Sequence, residues 1–417
     1  LNKNHAAKKL VPMAIGMGLA TKVNVNMGAS PFHATLDEEL EKLWVAERYG
    51  ADTIMDLSTA GDLNAVRQAI IDHSSIPVGT VPIYQVVEEK GVKGFTPEDL
   101  LRVIRLQAEQ GVDYMTIHAG FKKEFIPLVK KRVMGTVSRG GGILQKWMSH
   151  HNEENPLLQI FDEIIDIFLE YDVTFSLGDT LRPGGLCDCN DEAQIAELKF
   201  LRELTKRAWA RGVQVMVEGP GHVPIHMIEE QMKLEKKLCH NAPFYVLGPL
   251  TIDTGAGYDH ITGAIGGAIA AWHGADMLCY VTPAEHLTLP NAQDVRDGLI
   301  AFKIAARSGD IGKGVPGAWE YELEMSRARK GLDWETQKAH CLDKDKFVHY
   351  RKGTSALDAC DMCGDKFCPM REEEELTPEQ LWEKGESKEN APGGARKKKE
   401  VAEKNEVAVL ESNHFIK

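Results

Sequence analysis

Short, β-branched apolar runs alternate with longer stretches of helical apolar spacing through about the first 280 residues of this chain. The candidate strands are 22–26, 51–57, 77–83, 113–118, 134–137, 173–177, 213–217, 244–247 and 277–281. Between them, 38–49, 97–111, 157–170, 192–211 and 227–238 carry apolar residues at i, i+3 and i+4, the spacing of an amphipathic helix. Thr96 is a candidate N-cap and Gly111 a candidate stop for the second of these. Strands apolar throughout, each followed by a helix, imply a parallel sheet covered on its outside. Nine candidates fit an eight-stranded (β/α)8 TIM-type barrel with one to spare; a doubly wound open sheet is the runner-up. Polar residues favour the barrel. Asn26, Asp56, Tyr84, His118, Ser138, Arg139, Asp179, Glu218, Tyr245, Glu285 and His286 all fall just past strand ends. Only a closed barrel gathers all such ends around one mouth.

The chain's 417 residues suggest a barrel plus an appendage. The expected division is an N-terminal remnant at 1–20, a catalytic barrel at 21–300, a helical cysteine-bearing segment at 301–371, and a charged, flexible tail at 372–417. The net charge of −13 argues against nucleic acid as a partner. No run of about twenty apolar residues occurs, so no membrane span is expected. With no basic-then-apolar leader, the expected compartment is the cytoplasm. The first residue is Leu1, which suggests that a preceding stretch has been removed or left out. Trp147 and Trp272 fall on helical patterns and read as packing residues.

Three of the eight cysteines cluster as Cys360, Cys363 and Cys368, a C-x2-C-x4-C loop. A structural zinc site almost always takes four protein ligands, and this loop supplies three. Three thiolates suit a [4Fe–4S] cluster with one iron left open to a small chelating molecule. Unligated thiols are the remaining reading, although an exposed trio would oxidise readily.

Glu218-Gly-Pro-Gly-His222 and Glu285-His286 follow different strands. His222 and His286 can meet at the mouth around a divalent metal, zinc or iron, with positions left open; for either alone, a hydrogen-bonded structural role is the plainer reading. Ser138-Arg139-Gly140-Gly141-Gly142 offers backbone N–H groups and a guanidinium for phosphate. Asp179-Thr180-Leu181-Arg182 pairs a carboxylate with a guanidinium. Together these motifs fit a phosphorylated, hydroxyl-bearing ligand. A non-catalytic iron–sulfur electron carrier and a zinc-stabilised hydrolase are the rivals from other classes.

The stretches PMAIGMGLATKVNVNMGAS, DTIMDLST, IPVGTVPIYQ, DYMTIHAG, VSRGG, VQVMVEGPGHVP, APFYVLGP, MLCYVTPAEHLTLPN and CDMCGDKFCPM run from about residue 10 to 370. Together they resemble the phosphomethylpyrimidine synthase family of the thiamin pathway, which includes the related 5-hydroxybenzimidazole synthases of anaerobic cobalamin synthesis. The resemblance implies a radical S-adenosylmethionine lyase or synthase. In it a [4Fe–4S] cluster on Cys360, Cys363 and Cys368 reduces S-adenosylmethionine to a 5′-deoxyadenosyl radical, which rearranges 5-aminoimidazole ribotide. It implies a mononuclear metal on His222 and His286. The implied substrate set is Asn26, Met55, Tyr84, His118, Ser138, Arg139, Gly140, Asp179, Thr180, Leu181, Arg182, Glu218 and Tyr245, with Glu218, His118 and Asp179 as proton-moving groups. A homodimer and an electron donor such as flavodoxin or ferredoxin are implied as well. Departures from the thiamin pattern fall at Met27, Ala29, Thr180, Thr254–Ala256 and Asp365. The cluster and metal residues are all retained, so the expectation is the same radical start with a different rearrangement, with 5-hydroxybenzimidazole ahead of hydroxymethylpyrimidine phosphate as product.

Overall fold

The structure, a computed structural model, describes residues 1–6, 10–31, 35–353, 359–360 and 362–370. The tail expected at 372–417 lies outside the described residues. Eight parallel strands close into one barrel in sequence order, and the last pairs with the first. They are β1 (Lys22–Met27), β2 (Thr53–Asp56), β3 (Val78–Thr80), β4 (Tyr114–Ile117), β5 (Thr174–Leu177), β6 (Val215–Gly219), β7 (Phe244–Leu247) and β8 (Met277–Cys279). The expected (β/α)8 class is what the chain forms.

Eight of the nine candidate runs are strands. The spare one, 134–137, is not. Gly135 takes a left-handed φ of 66° there, which reverses an extended chain, and Met134 is exposed rather than packed. The run at 77–83 is too long by its second half. Pro82 cannot donate to a ladder, and it opens the helix Pro82–Lys90. The 157–170 pattern is two helices, Pro156–Gln159 and Phe161–Tyr171, broken at Ile160. Thr96 caps Pro97–Gln110 through a capping box with Asp99, and Gly111 ends it at φ 113°.

Alternation along each strand separates two environments. On β1, Val23 and Val25 are fully buried, while Asn24 reaches partners on β2, β4 and β7 and so faces the barrel interior. On β5, Phe175 stacks outward on Phe161 and Phe168 of the covering helix, and Ser176 faces inward to Glu218.

The closed end is built by a repeated device. Gly50-Ala51-Asp52, Gly111-Val112-Asp113 and Gly274-Ala275-Asp276 each precede an even-numbered strand. Each glycine takes a positive φ after a helix. Each aspartate then accepts a backbone N–H from the first or second residue of a neighbouring strand: Val23 for Asp52, Val78 for Asp113 and Phe244 for Asp276, at 2.8–2.9 Å. The N-terminal residues dock on the same end, where Asn2 N donates to Asp113 and His5 Nδ1 lies 2.6 Å from its other oxygen.

Helix Ala292–Lys313 runs unbroken across residue 300 and packs on Asp259–His273, with Gly263 against Phe302 and Gly309 against Ala271. Gly314 and Gly317 then separate it from Ala318–Lys330, and Trp334–His340 and Lys344–Arg351 follow. Trp147 is buried on Phe95, but Trp272 is half exposed rather than core. No helix among the described residues is long and apolar enough to cross a membrane.

Gly266 lies where a Cβ would stand 1.9 Å from the Pro249 carbonyl oxygen, and backbone cannot yield to it. Gly266→Ala is expected to lower stability in urea unfolding by about 1–3 kcal/mol. Gly142→Ala, with open space around it, should raise stability by about 0.5–1 kcal/mol. Equal effects of the two variants would contradict this packing.

Candidate active site at the barrel mouth

The floor of the mouth is a polar hub. Asn24 Nδ2 donates to the Tyr245 hydroxyl at 2.7 Å, and Asn24 Oδ1 accepts from Thr53 and Tyr114 at 2.8 Å each. A cavity of about 250 Å3 stands on this floor. Nine of the expected site residues line it: Asn26, Met55, Tyr84, His118, Arg139, Asp179, Arg182, Glu218 and Tyr245. Leu57, Val81, Val137 and Leu247 add apolar wall. Thr116 and Cys279 also line it; both lie inside the runs read as strands, 113–118 and 277–281, and were not among the expected site residues.

Charges are unevenly tuned here. Glu218 Oε1 accepts from Thr116 and Ser176 at 2.7 and 2.6 Å; burial raises its pKa against those two bonds. Asp179 is raised well above the ordinary carboxylate range by burial, although Arg182 stands 3.2 Å away. Its second oxygen, Oδ2, is buried without a partner. His118 is pushed down to about 3 by burial and by Arg182, so at neutral pH it is an uncharged imidazole. Its Nδ1 is also buried and unpartnered. Cys279 is held as a thiol, pushed up to about 12 by burial, and receives Asn26 Nδ2 at 2.9 Å. The mouth thus holds two acids able to keep protons and two unfilled polar atoms, which is the chemistry of proton transfer to a hydroxyl- or amine-bearing ligand.

Ser138 caps helix Arg139–His151, accepting from Gly141 N at 3.2 Å, and its Oγ lies 3.4 Å from His118 Nε2. Arg139 lies over the Tyr84 ring at 4.9 Å. At Gly140 a Cβ would meet the His118 ring at 2.6 Å, which is why a glycine stands there. Arg139 lines the cavity at this helix N-terminus, whereas Ser138 and Gly140 pack on His118 behind it. Thr180 and Leu181 do not line the cavity. Both side chains are fully buried, and their backbone N–H groups donate to the two oxygens of Glu197 at 3.0 and 2.6 Å. Glu197, invisible to the motif reading, thereby shapes the loop that presents Asp179 and Arg182.

His222 and His286 come together, with ring centroids 5.5 Å apart. His286 lines a second cavity of about 210 Å3 that shares Asn26, Leu57, Arg139 and Glu285 with the first. Each ring has an aspartate at Nδ1: Asp253 at 2.9 Å for His222 and Asp259 at 3.5 Å for His286. That is the carboxylate–histidine arrangement that leaves Nε2 to a metal, so the pair fits a divalent ion completed by solvent or substrate. Among the described residues no three His, Cys, Asp or Glu side chains are gathered tightly enough to form a closed metal cage. Cys360, Cys363 and Cys368 are unpaired thiols: Gly364 N donates to the Cys360 carbonyl at 3.2 Å, and Cys368 follows the short helix Gly364–Phe367. That donor set suits an iron–sulfur cluster.

Residues 1–375 match the Radical SAM ThiC family. The chain belongs to that family. Membership of the radical SAM ThiC family implies an iron–sulfur cluster and S-adenosylmethionine as working partners of this site. Among solved structures, a dihydropteroate synthase from Coxiella burnetii is 14% identical, with 70% of this chain and 94% of that one covered at a TM-score of 0.42. A dihydropteroate synthase from Yersinia pestis is 13% identical, with 70% and 95% covered at 0.40. Likeness this distant says nothing of what the ThiC-family chain binds.

His118 supplies a direct check on the mouth's electrostatics. Its depressed pKa means that the unfolded chain binds the extra proton first. Stability from this group is therefore complete above about pH 6.5 and is lost as pH falls toward 3. In an NMR titration of histidine Cε1 resonances, the His118 signal should stay at the neutral position from pH 8 to about 5. A midpoint near 6.5 would contradict its burial beside Arg182.

Proposed function

We propose that this chain is a radical S-adenosylmethionine synthase acting on 5-aminoimidazole ribotide, with 5-hydroxybenzimidazole as product. The observation that carries the reading is that nine residues of the expected substrate set line one cavity at the barrel mouth of a radical SAM ThiC family chain. Cys360, Cys363 and Cys368 would hold the [4Fe–4S] cluster, which when bound supplies the electron that cleaves the sulfonium bond of S-adenosylmethionine. His222 and His286 would hold a zinc or iron ion, which when bound supplies Lewis acidity.

The chain's own residues divide the remaining work. The Ser138–Gly141 turn and Arg139 bind the phosphate. Asp179 and Arg182 hold ribose hydroxyls. Glu218, fixed by Thr116 and Ser176, and Asp179, with its free Oδ2, hold or pass protons at the mouth. Neutral His118 offers one nitrogen as donor and the other as acceptor. The apolar wall of Met55, Leu57, Val81, Val137 and Leu247 excludes water around the reacting sugar. Two-subunit assembly, a flavodoxin- or ferredoxin-like donor and a cytoplasmic setting complete the proposal.

The choice of product rests on Thr180. A Cβ on Gly141 would meet the Thr180 methyl and carbonyl oxygen at 2.8 Å. The Thr180 side chain therefore lies directly behind the phosphate turn, where the thiamin pattern has glycine. A bulkier prop there alters how the ribotide seats without removing any group that binds it.

The test is anaerobic. The protein is reconstituted with iron and sulfide, reduced with dithionite, given S-adenosylmethionine and ribotide, and its products are identified by mass spectrometry. 5-Hydroxybenzimidazole is expected; hydroxymethylpyrimidine phosphate would make it a thiamin enzyme instead. Cys363→Ala should lose the brown colour and its stoichiometric iron. Iron and sulfide retained in that variant would overturn the cluster assignment, and zinc in place of iron would favour the hydrolase.

A further inference from the structure

Asp253 uses its two oxygens on two different loops. Oδ1 lies 2.9 Å from His222 Nδ1, on the loop after β6. Oδ2 accepts the backbone N–H of Leu186 at 2.9 Å, on the loop after β5 that carries Asp179 and Arg182. The approach is close on the second side as well, since a Cβ on Gly185 would meet Oδ2 at 3.2 Å. The His222 backbone is already fixed without Asp253. It bridges to Leu250, with Leu250 N donating to Gly221 and Val223 N to Leu250. What Asp253 adds is the orientation of the ring and a tie to the substrate loop. That loop is otherwise held by Glu197 under residues 180 and 181, and by Asp188, which accepts from Val133 and Met134 at 3.0 and 2.9 Å. Between those anchors, residue 186 has Asp253.

We propose that Asp253 is a positioning residue that couples metal binding at His222 to ribotide binding by the Asp179–Arg182 loop; this rests on the reading of His222 and His286 as metal ligands. A metal on Nε2 fixes Nδ1 as a donor and strengthens its bond to the carboxylate. The carboxylate is then held in the one orientation that also accepts from Leu186. Ligand in the cavity holds the same loop from the other side. Each event favours the arrangement the other needs, and by linkage the effect is reciprocal. Asparagine could not substitute. One of its two atoms is a donor, so it would lose either the ring or the Leu186 amide.

The test titrates Co2+ into the metal-free full-length protein by visible absorption, with and without saturating 5-aminoimidazole ribotide. Ribotide should tighten Co2+ binding by about 5-fold or more. Leu186→Pro removes the N–H that reaches Asp253 and leaves the Asp253 and His222 side chains in place. Gly185 is extended, as a residue before proline must be, and residue 186 opens a short helical turn that accepts proline. This variant should bind Co2+ like the parent but lose the response to ribotide. Asp253→Ala should lose that response and also weaken Co2+ by about 10–100-fold. No response in the parent overturns the coupling. A response that survives in Leu186→Pro overturns the role of Asp253 and indicates direct contact of ribotide with the metal. Two controls separate failure of the underlying reading. Co2+ binding unchanged in His222→Ala removes the metal site itself, and absence of ribotide binding by calorimetry removes the substrate assignment; either one also ends this proposal.

Discussion

The amide of Asn24 joins β1 to β2, β4 and β7 through Thr53, Tyr114 and Tyr245. All three contacts lie inside the barrel, where an unpaired polar atom costs about 1–3 kcal/mol. The hub is therefore stable only when every member is in place. Its geometry is demanding. Gly79 on β3 leaves room for the Tyr114 ring, which a Cβ would meet at 2.1 Å. Because Tyr245 and Asn26 rise directly from this layer into the cavity, the floor sets where a ligand can rest. Cys279 is fixed by the same layer through Asn26 and lies deep against it.

Above the floor, buried carboxylates do two kinds of work. Asp179 and Glu218 face the cavity, and burial raises both above the ordinary carboxylate range. Glu197, pushed up to about 7 by burial, faces away from the cavity and receives two backbone N–H groups. Asp253 resembles Glu197 in accepting from backbone. Asp179 is thus carried on a loop whose shape is set by other acids, while Glu218 sits on β6. A change in a supporting carboxylate would be felt at the mouth although it touches no ligand.

The strands were readable because their apolar runs are local and the helices between them carry caps and stops such as Thr96 and Gly111. The misreading at 134–137 has a local cause too, since a β-branched run looks like a strand until the left-handed Gly135 is known. Site residues just past strand ends were readable for the same reason: a barrel collects them wherever they fall in the chain. Thr116, Ser176, Glu197, Asp253 and Asp259 were not. Their roles depend on partners 16 to 102 positions away, such as Thr116 with Glu218 and Leu181 with Glu197, and no spacing rule reports them. Thr180 and Leu181 show the converse. They share a motif with Asp179 and Arg182, yet they contribute backbone to the loop's anchor rather than side chains to the cavity.

The Gly-Ala/Val-Asp steps before β2, β4 and β8 anchor β1, β3 and β7 through carboxylates at the end opposite the mouth. Loops at the open end have anchors of their own, such as Glu197 beneath residues 180 and 181. Thr180 and the stretch 254–256 lie in open-end loops, so differences there leave the carboxylate anchors of β1, β3 and β7 untouched.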